Sequence, residues 1–173
     1  MPPNTADQLA AVAELHDLLE GRGVAYWLFG GWAVDFHAGR VTRAHADLDL
    51  AIWRDDGARV AALLGERAWV HTPEAGEDGY TCFGRGDVRL ELAYLARDER
   101  GHIYTPLRTG RGEWPAHAFG EDVAELLGVR ARVIALRALI ADKSVDRDDP
   151  STSAKDRADV LSLGHGAERG PAA

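Results

Sequence analysis

Apolar residues Leu9, Val12, Leu15, Leu18 and Leu19 recur at helical spacing, and Thr5 with Gln8 has the spacing of a capping box. Together they predict a first helix over about residues 6–20, stopped by Gly21 and Gly23. Val24 to Phe29 is β-branched and aromatic and predicts a strand, closed by Gly30-Gly31, with a short helix over Trp32–Ala38. From Asp47 to Trp53 the period falls to two: Leu48, Leu50 and Ile52 alternate with Asp47, Asp49 and Ala51, as on a strand with one buried face. A helix over Gly57–Glu66, a strand over Ala68–His71 and an acidic loop from Thr72 to Gly79 follow. Tyr80–Phe83 and Val88–Leu95 read as a hairpin. Residues 96–118 have little periodicity and receive no assignment. Beyond them the pattern predicts a short helix over Glu121–Leu127, a brief strand over Val129–Arg132 and a helix over Val133–Lys143. A polar loop over Ser144–Ser153 and a last helix over Ala154–Leu163, with Ser153 as its cap, complete the pattern.

This order predicts an α/β core of the α+β kind, followed by helices. The expected organisation is a core over residues 1–120, a C-terminal helical segment over 121–164 packed on it, and a flexible tail over 165–173. The lone cysteine, Cys82, excludes an internal disulfide framework and argues against a thiolate zinc site. There is no apolar run long enough to cross a bilayer, and Met1 to Gln8 lacks the features of a signal peptide, so the expected location is the cytoplasm. A net charge of −8 argues against broad contact with a nucleic-acid backbone and suits metal ions or a cationic small molecule.

The chemistry concentrates at Asp47-Leu48-Asp49. Residues two apart on a strand share a face, so two carboxylates stand side by side and call for a cation. Their oxygens suit magnesium, which shares its shell with substrate phosphates. Glu91, in Val88-Arg89-Leu90-Glu91-Leu92, points away from a core face in the same way and would join them if the strands are neighbours. The structural alternative is that Glu91 pairs with an arginine, Arg89 being near. Gly30-Gly31, between a strand and a helix, would let backbone N–H groups approach an anion. Arg40, Arg43 and His45 could hold a triphosphate, or pair with Asp35 or Asp47. Lys155, on the last helix, is a further phosphate contact or a solvated helix end. Cys82 is expected to be buried, and the tryptophans to pack rather than to bind sugar.

These residues carry a resemblance. Phe29-Gly30-Gly31-Trp32-Ala33-Val34-Asp35, followed by Gly39 through Leu50 with its Asp47-Leu48-Asp49, resembles the signature of antibiotic nucleotidyltransferases of the DNA polymerase β-like superfamily. Aminoglycoside 2″-adenylyltransferases are nearest, and lincosamide nucleotidyltransferases are close by. Gly86 to Glu91 is similar to the strand bearing the third carboxylate of that family. Gly128 to Asp142 and Lys155-Asp156-Arg157-Ala158-Asp159 are looser likenesses, and the whole covers about residues 6–163. The resemblance implies a nucleotidyltransferase fold, a small mixed sheet flanked by helices. It implies that Asp47 and Asp49 bind two Mg2+ ions, with Glu91 as ligand or general base. It also implies ATP as donor and transfer of AMP to a hydroxyl of an antibiotic, most simply an aminoglycoside. Gly30, Gly31, Arg40, Arg43, His45 and Lys155 would hold the nucleotide. Partners would be the acceptor and the triphosphate, without nucleic acid or membrane, in a monomer or homodimer. A lincosamide or other small acceptor, or a protein partner as for antitoxins of this fold, is the alternative. Two departures stand out: Glu91 is one methylene longer than the Asp frequent in near relatives, and Trp32 replaces the serine of the wider superfamily.

Overall fold

The computed structural model describes residues 4–145 and 149–164; the expected flexible tail lies outside them. The element order is α1 (Thr5–Gly21), β1 (Tyr26–Phe29), α2 (Gly30–Ala38), β2 (Leu48–Trp53), a 3-10 turn (Arg54–Asp56) and α3 (Gly57–Glu66), then β3 (Val70–His71), β4 (Tyr80–Arg85) and β5 (Val88–Arg97). After these come β6 (Ile103–Pro106), β7 (Arg111–Trp114), β8 (Val123–Leu126), β9 (Val129–Arg132), α4 (Leu136–Lys143) and α5 (Pro150–Gly164). The sheet is mixed. Its order is β1-β2-β5-β4-β3, with β6 and β7 added beside the end of β5. The β2–β5 pair is parallel and its crossover runs through α3; the β1–β2 and β4–β5 pairs are antiparallel.

Alternation separates the two faces of the sheet. Leu48, Leu50 and Ile52 of β2 and Leu90 and Leu92 of β5 are buried in a core with Leu15 and Leu19 of α1 and Leu64 of α3. Asp49, Ala51 and Trp53 lie on the opposite face. There Trp27, Ala51, Leu95 and Ile103 form a second cluster, with Trp114 and Phe119 packed against it. That aromatic plug covers one end of the face. A third cluster joins Ala33 and Val34 of α2 to Ala138 and Leu139 of α4 and Leu163 of α5. Among the described residues no helix is long and apolar enough to cross a membrane.

Several expectations are corrected. Residues 123–126 form a strand, not a helix. Leu127 and Gly128 both have positive φ (51° and 80°) and reverse the chain in a two-residue turn, so β8 pairs with β9 and Leu126 is buried. The helix expected from Val133 begins only at Leu136, because Val133 bridges to Leu28 and Ile134 N–H donates to the Leu28 carbonyl (2.9 Å), extending the sheet beyond β1. The unassigned stretch 96–118 contains the β6–β7 hairpin. The last helix starts at Pro150, and its cap is Asp149 rather than Ser153: Asp149 Oδ2 accepts from the N–H (2.8 Å) and hydroxyl (2.6 Å) of Thr152 and the hydroxyl of Ser151 (2.6 Å).

No capping box forms at α1 either. Asn4 precedes the helix without a side-chain cap bond. The Gln8 side chain is buried; its amide donates to the His45 carbonyl (3.1 Å) and accepts from Trp32 Nε1 (3.1 Å). A residue with the spacing of a local cap thus ties α1 to α2 and to the loop before β2. Burial favours this use, since Trp32 is 1 % exposed and its N–H requires an acceptor.

Candidate active site

The strand register assembles the three acids. Asp49 stands opposite Glu91 across the parallel β2–β5 pair, and Phe29 stands opposite Asp49 on the other side. Leu48 pairs with Leu90, so Asp47, just before β2, is level with Arg89. The four charged groups therefore share the open end of the second face. Burial above all, then the charges of Asp47 and Glu91, push the Asp49 carboxyl up to about 8; Lys143 and Lys155 act against this. Glu91 is raised as well, by burial first and then by Asp47.

The cation found among these acids is Arg89. Its Nη2 donates to Glu91 Oε1 (2.6 Å) and to Glu74 Oε2 (2.9 Å), and its Nη1 lies 3.7 Å from Asp47 Oδ2. With the guanidinium in their midst, the acids are not drawn around one point. Among the described residues no group of three or more His, Cys, Asp and Glu side chains is poised to hold a metal ion. The donor set nevertheless fits divalent magnesium: all oxygen, in adjoining strand positions, and already shared with a positive charge.

Each glycine of the Gly30-Gly31 pair is required by a different neighbour. Gly30 has φ of +64°, and a Cβ there would overlap the Asp49 carboxylate. A Cβ on Gly31 would overlap His45 Nδ1 and stand 2.6 Å from Arg43 Nη2. The pair lets the start of α2 lie directly on the acids. No side chain caps that helix, so the N–H groups of its first turn face the site without a side-chain acceptor. Gly30→Ala is expected to lower activity by at least about tenfold and stability by about 1–2 kcal/mol, from displacement of Asp49 and the left-handed backbone. Turnover and urea unfolding of the purified variant check both; an unchanged kcat would mean that Asp49 need not sit against the helix.

Below this turn lies a buried polar frame. Asp35 of α2 is fully buried; its Oδ1 accepts from Thr42 N–H (3.0 Å) and its Oδ2 meets His45 Nε2 (2.6 Å). Arg43 grips Asp159 of α5 with two hydrogen bonds, Nε to Oδ1 (3.0 Å) and Nη2 to Oδ2 (3.1 Å), and its Nη1 meets His45 Nδ1 (3.0 Å). Buried Lys143 of α4 reaches Asp156 Oδ1 (2.8 Å) and Asp159 Oδ2 (3.1 Å). So Arg43 and His45 are engaged in the frame. Arg40 is exposed at the end of α2, and Lys155 is exposed on α5, where its charge reaches Asp49. Cys82 is buried on the strand beside Glu91, its Sγ 3.5 Å from Arg89 Nη2. Sequence reasoning offered the Glu91–Arg89 and His45–Asp35 pairs as alternatives, and both are present. It missed Gln8 and Asp159 as frame members, since nothing local marks a contact between residues 116 apart.

The family model of aminoglycoside-2″-adenylyltransferases matches residues 11–148. A curated 2″-aminoglycoside nucleotidyltransferase from Escherichia coli is 45% identical over 62 residues, which cover 32% of this chain and 35% of that protein. One from Klebsiella pneumoniae has the same identity and coverage. The match thus spans about a third of the length of these curated relatives. Among solved structures, ANT(2″)-Ia in complex with adenylyl-2″-tobramycin aligns with a TM-score of 0.68 and 22% identity, over 93% of this chain and 92% of that one. The lincosamide antibiotic adenylyltransferase LnuA with lincomycin bound aligns with a TM-score of 0.66 and 20% identity, over 86% and 90%. At such identities the likeness is one of fold.

Proposed function

The chain belongs to the aminoglycoside-2″-adenylyltransferase family, and from that premise we propose that it transfers AMP from ATP to a hydroxyl of an aminoglycoside. The observation that carries this reading is the Asp49–Glu91 register pair, with Asp47 beside it, directly under the Gly30-Gly31 start of α2. Asp47, Asp49 and Glu91 would hold two magnesium ions. Bound there, the ions would neutralise the triphosphate and lower the pKa of the attacking hydroxyl. Glu91 accepts the proton of that hydroxyl. The oxygen then attacks the α-phosphorus, and the bond to the β-phosphate oxygen breaks to release pyrophosphate.

The N–H groups at Gly30 and Gly31 would face the triphosphate, and exposed Lys155, whose charge is felt at Asp49, would reach its outer oxygens; Arg40, beyond the opposite end of α2, would meet only a part of the nucleotide that extends along that helix. Arg43 and His45 act beneath Gly31, fixing the turn rather than touching phosphate. The charges of Glu74 and Glu77 bear on Glu91. Tyr80, on the same face, has its hydroxyl pKa raised by burial and by Glu91. An acidic rim of this kind favours a polycationic acceptor.

The test is pyrophosphate release from ATP with Mg2+ against a panel of aminoglycosides and lincosamides, with Asp47→Ala and Glu91→Ala in parallel. The expected result is release with aminoglycosides, lowered by at least about a hundredfold in both variants. Release confined to lincosamides would overturn the acceptor assignment. No release with any acceptor, despite Mg2+-dependent ATP binding, would move the acceptor outside both drug classes.

A further inference from the structure

Arg89 lies outside the residues assigned above to metal, nucleotide or proton transfer, yet it is the centre of charge at the site. Its guanidinium joins Glu91 and Asp47 on the inner side to Glu74, in the loop between β3 and β4, on the outer side. Its fit is incomplete, since buried Nε has no hydrogen-bond partner. Two carboxylates intended for cations therefore hold an internal one, and a third carboxylate outside that set is within its grasp.

We propose that Arg89 is a resident counter-cation: it occupies Glu91 and Asp47 until divalent metal arrives, and then retires to Glu74. The inference rests on the metal reading given above. Arg89 and the metal compete for the same carboxylate oxygens. A guanidinium 2.6 Å from Glu91 cannot stay there while a dication shares the same oxygen, because like charges at that range repel strongly. Glu74, already 2.9 Å from the same nitrogen, gives the displaced group an ion-pair partner without a large movement. In the metal-free protein Arg89 offsets repulsion among Asp47, Asp49 and Glu91. It also weakens metal binding until a nucleotide adds its own negative charge. Arg89 is thus a positioning residue.

Mn2+ serves as the probe, with free ion measured by electron paramagnetic resonance in wild type, Arg89→Gln, Lys155→Gln and Asp47→Asn. Lys155→Gln also removes a positive charge felt by Asp49, but one outside the Glu91–Asp47 pair. Arg89→Gln is expected to tighten Mn2+ binding by about tenfold, and Lys155→Gln by less than about threefold. Arg89→Gln should also melt lower than wild type in EDTA, with the gap narrowing as Mn2+ saturates. Equal tightening in the two variants would overturn occupancy in favour of general charge. Unchanged affinity in Arg89→Gln, with binding abolished by Asp47→Asn, would overturn the proposal and leave the metal reading standing. No Mn2+ binding by wild type, even with a non-hydrolysable ATP analogue, would overturn both. Should Arg89→Gln not fold, Arg89→Lys keeps the charge but not the fork, and a smaller tightening in the same direction is expected.

Discussion

Asp49→Asn is expected to lower kcat/KM by about a thousandfold or more while raising the stability of the metal-free protein. The two effects have one cause. Asp49 faces Glu91 in register and sits near Asp47, in surroundings that push its carboxyl up to about 8, through burial and then those two charges. On the proposed reading a metal would convert that repulsion into binding, so loss of one carboxylate would remove a ligand and several kcal/mol of charge neutralisation at the phosphorus. In EDTA Arg89 offsets only part of the repulsion, and the amide, which has the same shape, still fits against Gly30. The expected gain is about 1–3 kcal/mol, or several degrees in Tm. Calorimetry in EDTA and steady-state kinetics with Mg2+ measure the two sides. A variant that is inactive and also less stable would show that Asp49 has a structural role beyond the site.

Lys143→Met should have the opposite character, with a loss of about 3–5 kcal/mol in urea unfolding. Lys143 is buried, and its ammonium holds Asp156 and Asp159, themselves buried. Removing it leaves the two carboxylates short of positive charge where water cannot replace it. For a protein with a total stability of about 5–15 kcal/mol this is a large fraction. Combining it with Asp156→Leu should recover part of the loss, since a missing pair is tolerated better than a lone charge. A loss under about 1 kcal/mol for Lys143→Met would mean that water or Arg43 takes over.

The same frame sets a pH window. Burial raises the Asp159 carboxyl, but the Arg43 hydrogen bond and the Lys143 charge outweigh it, and the net position is below the ordinary 3.8. A lowered folded value stabilises above 3.8, and the contribution is lost as pH falls through the lowered value. Lys143 is likewise opposed by burial but lifted by Asp156 and Asp159 to above 10.5, so its contribution is present below 10.5 and lost as pH rises through the raised value. Acid unfolding of Lys143→Met should therefore begin at a higher pH than that of wild type.

Several features are written locally in the chain. Alternation in Leu48–Ile52 and in Val88–Leu92 depends only on which positions shun water, so both strands and their buried faces are legible without a fold. Asp49 and Glu91 occupy the other parity of their strands, but that they share a face was decided by the pairing of β2 with β5. The Asp47-Leu48-Asp49 motif and the glycine pair are also readable, since each is a short run with its own chemistry. Tertiary structure decided matters of distance. Val123, Leu126 and Leu127 have helical spacing, but Leu127 and Gly128 turn the chain back and the segment pairs with β9. Gln8 looks like a cap and instead joins Trp32 to the His45 carbonyl. In sequence Arg43 and His45 are open to phosphate or to pairing with Asp35 or Asp47; packing gives Asp35 to His45 and joins Arg43 to Asp159, which no local signal marks. Charge carries no address in sequence: with 28 acidic and 20 basic side chains, many pairings are open to each. Burial selects among them, because a charge removed from water must find its counter-charge within a few ångströms, and that neighbour is set by how α2, α4 and α5 pack.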